Sequence, residues 1–446
     1  MSSTPRFECA DVDPSLLGKP LTFAFSGRTA PNRFLKGAMS ERLASFSFDD
    51  VESRGIPTKA LINVYRRWGE GQIGLSLTGN VMIDPAHLET AGNMVIPRNA
   101  PFSGERFERF SEMASVAKAN GSLLIAQVGH PGRQTAKELQ PNPISASDIP
   151  VKEGTFGMSF GKPRAATEED IAAIIDGFAH AAEYLEKAGF DGMQLHGAHG
   201  YLLSQFLSPS TNLRTDKYGG NLQNRMRLVL EVRDEIARRV SKDFIVGIKI
   251  NSVEFQEKGF QPDEARELCR ALEEHKFDFV ELSGGTYENF PLMGAKRPST
   301  LDREAFYLEW AKLIVPELSK TKSYVTGGLK TVEGMIKALE TCDGVGIGRA
   351  LCQEPYFCAH ILSGQLKGAM IQKLDMGDFG LTGATSGVHI KQIGQDLQPI
   401  DLSKEENVAK VLTALGAWME AKKSDKDLVQ FPEIEGHNVA ISSQPF

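Results

Sequence analysis

Eight short apolar segments recur along the chain, each followed by an amphipathic stretch, and this alternation restricts the fold more than any other feature. The segments are FLKGAM (34–39), LSLTGNV (75–81), LLIAQVG (123–129), GMQLHG (192–197), IVGIKI (245–250), FVELSGG (279–285), YVTGG (324–328) and GVGIGRA (344–350). Helical periodicity fills 58–71, 104–119, 168–188, 221–240, 262–275, 303–319 and 332–340, and resumes from 353. Several of these stretches open on capping residues, as in Thr167-Glu168-Glu169-Asp170, where a hydroxyl and three acids suit the free amides of a first turn. The strands read as continuous apolar runs, the pattern of parallel strands buried on both faces. Eight β/α units predict an α/β chain closed into a (β/α)8 TIM barrel. An open dinucleotide-binding sheet would need G-x-G-x-x-G after its first strand, and Ser-Glu-Arg-Leu-Ala-Ser follows Met39 instead.

The 446 residues suffice for one such barrel with a lead-in and a tail. The expected division is 1–366 for the barrel, with residues 1–30 plugging its bottom, and 367–446 for a C-terminal helical extension packed on it, with one helix at about 403–422. The proline-rich connection from 130 to 166 is too irregular for a crossover helix and is expected to run over the barrel mouth. A net charge of -7 argues against nucleic acid or an anionic membrane surface as partner. Five scattered cysteines form no C-x-x-C pair, so neither a disulfide framework nor a zinc or iron–sulfur centre is expected. With no secretory leader pattern and no apolar run of membrane-spanning length, the expectation is a cytoplasmic protein, monomeric or homodimeric.

In a barrel, chemistry belongs to the C-terminal ends of the strands and the loops after them. The fourth segment ends His196-Gly-Ala-His199-Gly-Tyr201, two imidazoles and a phenol within six residues. Such a set suits a reaction in which a carbonyl oxygen gains negative charge while a neighbouring carbon takes a proton, although two histidines satisfied by backbone in a buried turn fit the same pattern. A zinc site lacks a carboxylate or thiolate at matching spacing. The last two segments end in Thr326-Gly327-Gly328 and Gly346-Ile347-Gly348-Arg349, where exposed amides and a forked cation fit a phosphate, or where glycines simply turn the chain. Lys249 is a cation within an apolar strand and must face either Glu281 on the next strand or a bound anion. Gln127 both donates and accepts, as the edge of a heterocycle requires, and Ala38-Met39-Ser40 leaves room for a planar ring.

His196-Gly-Ala-His199-Gly-Tyr201-Leu-Leu-Ser-Gln-Phe-Leu-Ser-Pro, followed by Asn212-Leu-Arg214-Thr-Asp216-Lys-Tyr218-Gly-Gly and Asn224-Arg225, resembles the signature of the Old Yellow Enzyme family of FMN-dependent ene-reductases. Asn32-Arg33, Gln127-Val-Gly-His130-Pro-Gly-Arg133, Lys162-Pro-Arg-Ala and the two glycine-rich strand ends extend the likeness from about 20 to 366. The resemblance implies FMN with its phosphate on Gly327, Gly328, Gly348 and Arg349, and its ring against Ala38, Met39, Ser40, Gly79 and Gln127, with Lys249 near N1 and the C2 oxygen. It implies NADH or NADPH as donor and an enone-type small molecule as acceptor. His196 and His199 would bind the carbonyl oxygen and Tyr201 would protonate the α-carbon. Three positions depart from the family pattern, with Ala38 for Pro, Ser40 for Thr or Cys, and Lys249 for Arg. Two rival readings are a lyase using Lys249 as a Schiff-base nucleophile on a phosphorylated substrate, and a non-catalytic barrel scaffold.

Overall fold

Eight parallel strands form a closed ladder in the computed structural model, which describes residues 4–155, 158–254, 259–288 and 308–441. They are β1 Phe34–Lys36, β2 Leu75–Met82, β3 Leu123–Gly129, β4 Gly192–Gly197, β5 Ile245–Asn251, β6 Phe279–Ser283, β7 Lys322–Thr326 and β8 Gly344–Ile347. The ladder runs from β2 through β8, and β8 and β2 both pair with β1, which closes the barrel. The expected (β/α)8 TIM barrel is therefore the fold of the chain, and all eight sequence segments supply its strands.

Four expected strands end early, at Lys36, Ser283, Thr326 and Ile347 rather than 39, 285, 328 and 350. At β7 and β8 the cause is local. Gly327 and Gly328 take φ of 147° and 78°, outside the β region, and Arg349 already starts a short helix, Arg349–Gln353. Helix Glu168–Lys187 opens with the expected cap, Thr167 and Asp170 bonding each other's backbone N–H reciprocally. Of the stretch expected at 303–319, residues 303–307 lie outside the described residues, 308–314 are helical and Val315–Glu317 form a 3-10 turn.

The interior and exterior of the barrel have separate cores. Inside its lower end, Leu35, Leu75, Leu77, Ile125, Ile245, Phe279 and Tyr324 enclose Phe23, which is carried by the hairpin Leu21–Thr22/Thr29–Ala30. The lead-in thus plugs the bottom. Ser26 N–H donates to Asp278 Oδ1 at 2.9 Å and holds the hairpin tip to the N-terminal side of β6.

The described part of the tail holds two helices, Phe379–Gly394 and Glu405–Lys422, where one was expected. The first has no polar face, so the sequence carries no helical periodicity for it. Thr382, Thr385, Ser386, Gly387, Val388 and His389 are consecutive or nearly so and all are buried, so no 3.6-residue alternation appears. It lies on the barrel helix Lys59–Glu70, whose Asn63 Nδ2 donates to the carbonyls of Ile393 and Gly394. Among the described residues no helix is long and apolar enough to cross a membrane.

Phe23 is fully buried, with its ring centroid 6.0 Å from that of Phe279. Phe23→Ala empties the barrel floor and is expected to cost about 3–5 kcal/mol of unfolding free energy in a urea titration. A loss below about 1 kcal/mol would mean that the hairpin does not seal the barrel.

Candidate active site

The end of β4 delivers the three residues that the sequence singled out to one place. His196 is the fifth residue of β4, and the chain then turns through His199, whose φ of 57° is left-handed. That turn is held by Asn251 Oδ1 at the end of β5, which accepts the His199 backbone N–H at 3.1 Å. Tyr201 folds back so that its ring stacks on His196, with centroids 4.0 Å apart. Asn80 of β2 faces this group. Its Nδ2 reaches the Glu89 carboxylate and its Oδ1 lies 3.0 Å from His196 Nδ1, so Nδ1 is the protonated ring nitrogen of His196. His196 Nε2 then accepts from His199 Nδ1 across a long 3.4 Å contact, and the Ser283 hydroxyl at the end of β6 lies 2.9 Å from His199 Nε2.

Burial governs the charge states here. Desolvation, with smaller contributions from its neighbours His199 and Lys249, holds the His196 pKa far below the usual imidazole range. Desolvation followed by the charge of Lys249 takes His199 down to about 3. Both rings are neutral at pH 7. The Tyr201 phenol is pushed well above its ordinary value by burial and then by Tyr287, whose hydroxyl is 3.0 Å away, and by Glu89. Tyr201 keeps its proton.

A chain of side chains crosses the barrel below this group. Gln127 Nε2 donates to Gln194 Oε1 at 2.7 Å, Gln194 Nε2 to Glu281 Oε2 at 2.7 Å, and Lys249 Nζ lies 3.0 Å from Glu281 Oε1. All four are nearly solvent-free, which makes each bond mandatory. Lys249 therefore has its structural partner, Glu281, opposite it in the strand register, and it also projects charge onto both histidines.

A cavity of about 250 Å³ runs from His199 and Ser283 past Ala38 and Met39 to Gly327, Gly328, Gly348 and Arg349. One hollow thus joins the imidazole end to the glycine end. Thr326 lines it, and its buried Oγ1 has no hydrogen-bond partner. Two consecutive glycines without Cβ atoms, an orphaned hydroxyl and a guanidinium fit the phosphate of FMN. The remaining expected contacts, Ser40, Gly79, Gln127 and Lys249, do not line this hollow. The Ser40 hydroxyl donates to Glu89 Oε2 at 2.9 Å, and the Gly79 amide donates to Glu41 Oε1 at 2.7 Å. Gln127 and Lys249 lie in the polar chain beneath.

Asn80, Glu89, Gln194, Ser283 and Tyr287 belong to this site and were not singled out from the sequence. Each is an isolated polar residue on a different strand or loop, and only the barrel brings them together. Among the described residues, Asp84, His87 and His130 also gather possible metal-ligand atoms within 4.8 Å of one another. The acceptor nitrogens of both histidines are already occupied. Asp84 Oδ2 lies 2.7 Å from His87 Nδ1, while His87 Nε2 accepts from the Ile144 amide and His130 Nδ1 from that of Gly132. The trio ties the 130–166 excursion to the loop after β2. Arg133 of the excursion also pairs with Glu288 after β6, so the two loops that wall the mouth are joined.

The fold and this donor set fit a flavin-dependent barrel oxidoreductase. The sequence matches the NADH:flavin oxidoreductase / NADH oxidase family over residues 17–367, and the chain belongs to that family. It is 54% identical over 434 residues to the NADH-dependent flavin oxidoreductase nadA of Aspergillus parasiticus, an alignment that spans 97% of this chain and 98% of the relative. It is 39% identical over 153 residues to 12-oxophytodienoate reductase 1 of Oryza sativa subsp. japonica, covering 34% of this chain and 40% of that one. A solved 2-naphthoyl-CoA reductase complex shares the fold, with a TM-score of 0.70 and 22% identity over 79% of this chain and 53% of its own. Family membership implies FMN as cofactor and NADH as donor.

Lys249→Met leaves Glu281 buried without its cation and is expected to destabilise the protein by about 3–5 kcal/mol in urea unfolding. Adding Glu281→Gln should restore most of that loss. Equal stability of Lys249→Met and wild type would show that the pair is not closed in solution.

Proposed function

We propose that the chain reduces the C=C bond of electron-poor alkenes such as α,β-unsaturated carbonyl compounds, with FMN as resident cofactor and a nicotinamide as electron source. The observation that carries this reading is one cavity that runs from His199, which adjoins the neutral His196 and the protonated Tyr201 stacked on it, to a phosphate cradle at the other end. Membership of the NADH:flavin oxidoreductase family supports it, as does a relative whose name denotes reduction of an oxo-dienoate.

Gly327, Gly328, Gly348 and Arg349 would hold the FMN phosphate. Ala38, Met39, Ser40, Gly79, Gln127 and Lys249 would surround its ring. When bound, FMN would supply hydride chemistry, accepting a hydride from the nicotinamide and passing it to the alkene β-carbon. The chain's own groups manage the oxygen and the proton. A substrate carbonyl oxygen enters between His196 and His199, opens their long 3.4 Å contact, and takes the His199 Nδ1–H. His196 joins it by releasing Asn80 and turning its own N–H to the oxygen. Neutral donors suit this task, because they stabilise enolate charge as it builds without attracting an anion beforehand. Tyr201 gives its proton to the α-carbon, and the Tyr287 hydroxyl bonded to it lies in position to resupply that proton. Lys249, paired with Glu281, is not the free amine that Schiff-base chemistry uses, which favours reduction over the lyase reading.

Tyr201→Phe tests the assignment. Stopped-flow absorbance should show flavin reduction by NADH unchanged and reoxidation by cyclohexenone slowed by about 100-fold or more. Equal slowing of both half-reactions would refute Tyr201 as the acid.

A further inference from the structure

The family match ends at residue 367, yet the cavity does not. Met370, Gln372, Met376 and Phe379 of the extension line it together with Gly327, Gly328 and Gly348. The extension also touches the cationic end. Arg349 Nη1 donates to Thr382 Oγ1 at 2.6 Å, and Thr382 is 1% exposed.

The bonding of that hydroxyl fixes its direction. Thr382 lies in helix Phe379–Gly394, and its Oγ–H is given to the Asp378 carbonyl at 2.9 Å, the usual i−4 bond of a helical threonine. With its proton committed, Oγ1 can meet Arg349 only as an acceptor. A hydroxyl partner orients a guanidinium and, unlike a carboxylate, brings no charge of its own. Thr382 is itself held from both sides. Asp378 Oδ1 caps the helix by accepting the Leu381 N–H at 2.9 Å, and the Ser386 hydroxyl donates to the Thr382 carbonyl at 2.8 Å. The extension is bonded to the Arg349–Gln353 helix a second time, through Gln353 Nε2 and the Ile400 carbonyl at 3.1 Å.

We infer that the C-terminal extension is part of the cofactor site and that Thr382 is a positioning residue for the phosphate of FMN, acting through Arg349. The inference rests on the FMN reading above. It concerns a part of the chain that lies beyond the family match, and it assigns the extension a task in cofactor binding in addition to packing.

The test compares FMN with riboflavin, which has the same ring and ribityl chain and no phosphate. Apoprotein is titrated with each flavin and quenching of flavin fluorescence is followed, for wild type, Thr382→Val and Thr382→Ser. Thr382→Val keeps the shape and removes the acceptor. It should bind FMN about tenfold more weakly, the size of one lost hydrogen bond to a charged group, with riboflavin affinity unchanged. Thr382→Ser should restore FMN affinity. In an Arg349→Ala background, Thr382→Val should add nothing further. Should Thr382→Val not fold, Thr382→Ala takes its place in the same comparison. Equal weakening of FMN and riboflavin would reduce Thr382 to a packing role, and full FMN affinity in Thr382→Val would overturn the inference while leaving the cofactor assignment intact. Wild-type apoprotein that takes up neither flavin would overturn both.

Discussion

The seam at β1 is the constraint on which the rest of the structure depends. This three-residue strand carries hydrogen bonds to both β8 and β2, with Leu35 paired to Gly346 on one side and to Leu75 on the other. Without it the ladder would be an open parallel sheet with two unpaired edges, and β2 and β8 would not face a common mouth. The seam is braced by an unusual residue for such a place. Lys36 is 1% exposed, donates to the Leu77 carbonyl at 2.7 Å and lies 4.1 Å over the Trp68 ring. Burial lowers its pKa to about 8 against the opposing pull of Glu41, whose carboxyl accepts from Tyr65 and Gly79. A cation is thereby used to fasten β1 to β2, where a backbone ladder only three residues long is weakest.

Closure then decides what the interior can hold. Gln127, Gln194, Lys249 and Glu281 come from four adjacent strands, β3 to β6, and form an unbroken chain inside the barrel. Buried polar chains of this kind are stable only when complete, so they fix side-chain positions as firmly as packing does. The fixed cation at Lys249 helps to keep His196 and His199 neutral, and their neutrality lets a hydrogen-bonded imidazole pair sit in a nearly dry pocket. The barrel, the polar chain and the neutral histidine pair are thus consecutive consequences of one closure.

Much of this was legible in the sequence where the signal is contiguous. The eight strands stand out as apolar runs, and His196, His199 and Tyr201 share one hexapeptide. The Lys249–Glu281 pair was readable because a charge in an apolar strand requires a partner on the neighbouring one. What stayed hidden is assembled by topology. Asn80, Glu89, Ser283 and Tyr287 lie on β2, β6 and the loops after them, and no local pattern marks any of them. The helix Phe379–Gly394 carries Thr and Ser at buried positions, so its periodicity is silent, and with it the Thr382 contact to Arg349. The early end of β7 follows from backbone conformations that glycine permits, and that of β8 from the helix that starts at Arg349, neither of which a hydropathy reading registers.

The central claim, that a flavin cradle adjoins an oxyanion and proton-donor site, is tested most directly by the visible spectrum of the purified protein under anaerobic conditions. The account predicts flavin absorption that bleaches on addition of NADH and returns when an enone such as cyclohexenone is added. Flavin that bleaches with NADH and is not reoxidised by any enone would contradict the alkene-reduction site. A colourless protein that FMN cannot reconstitute would contradict the cofactor cradle itself.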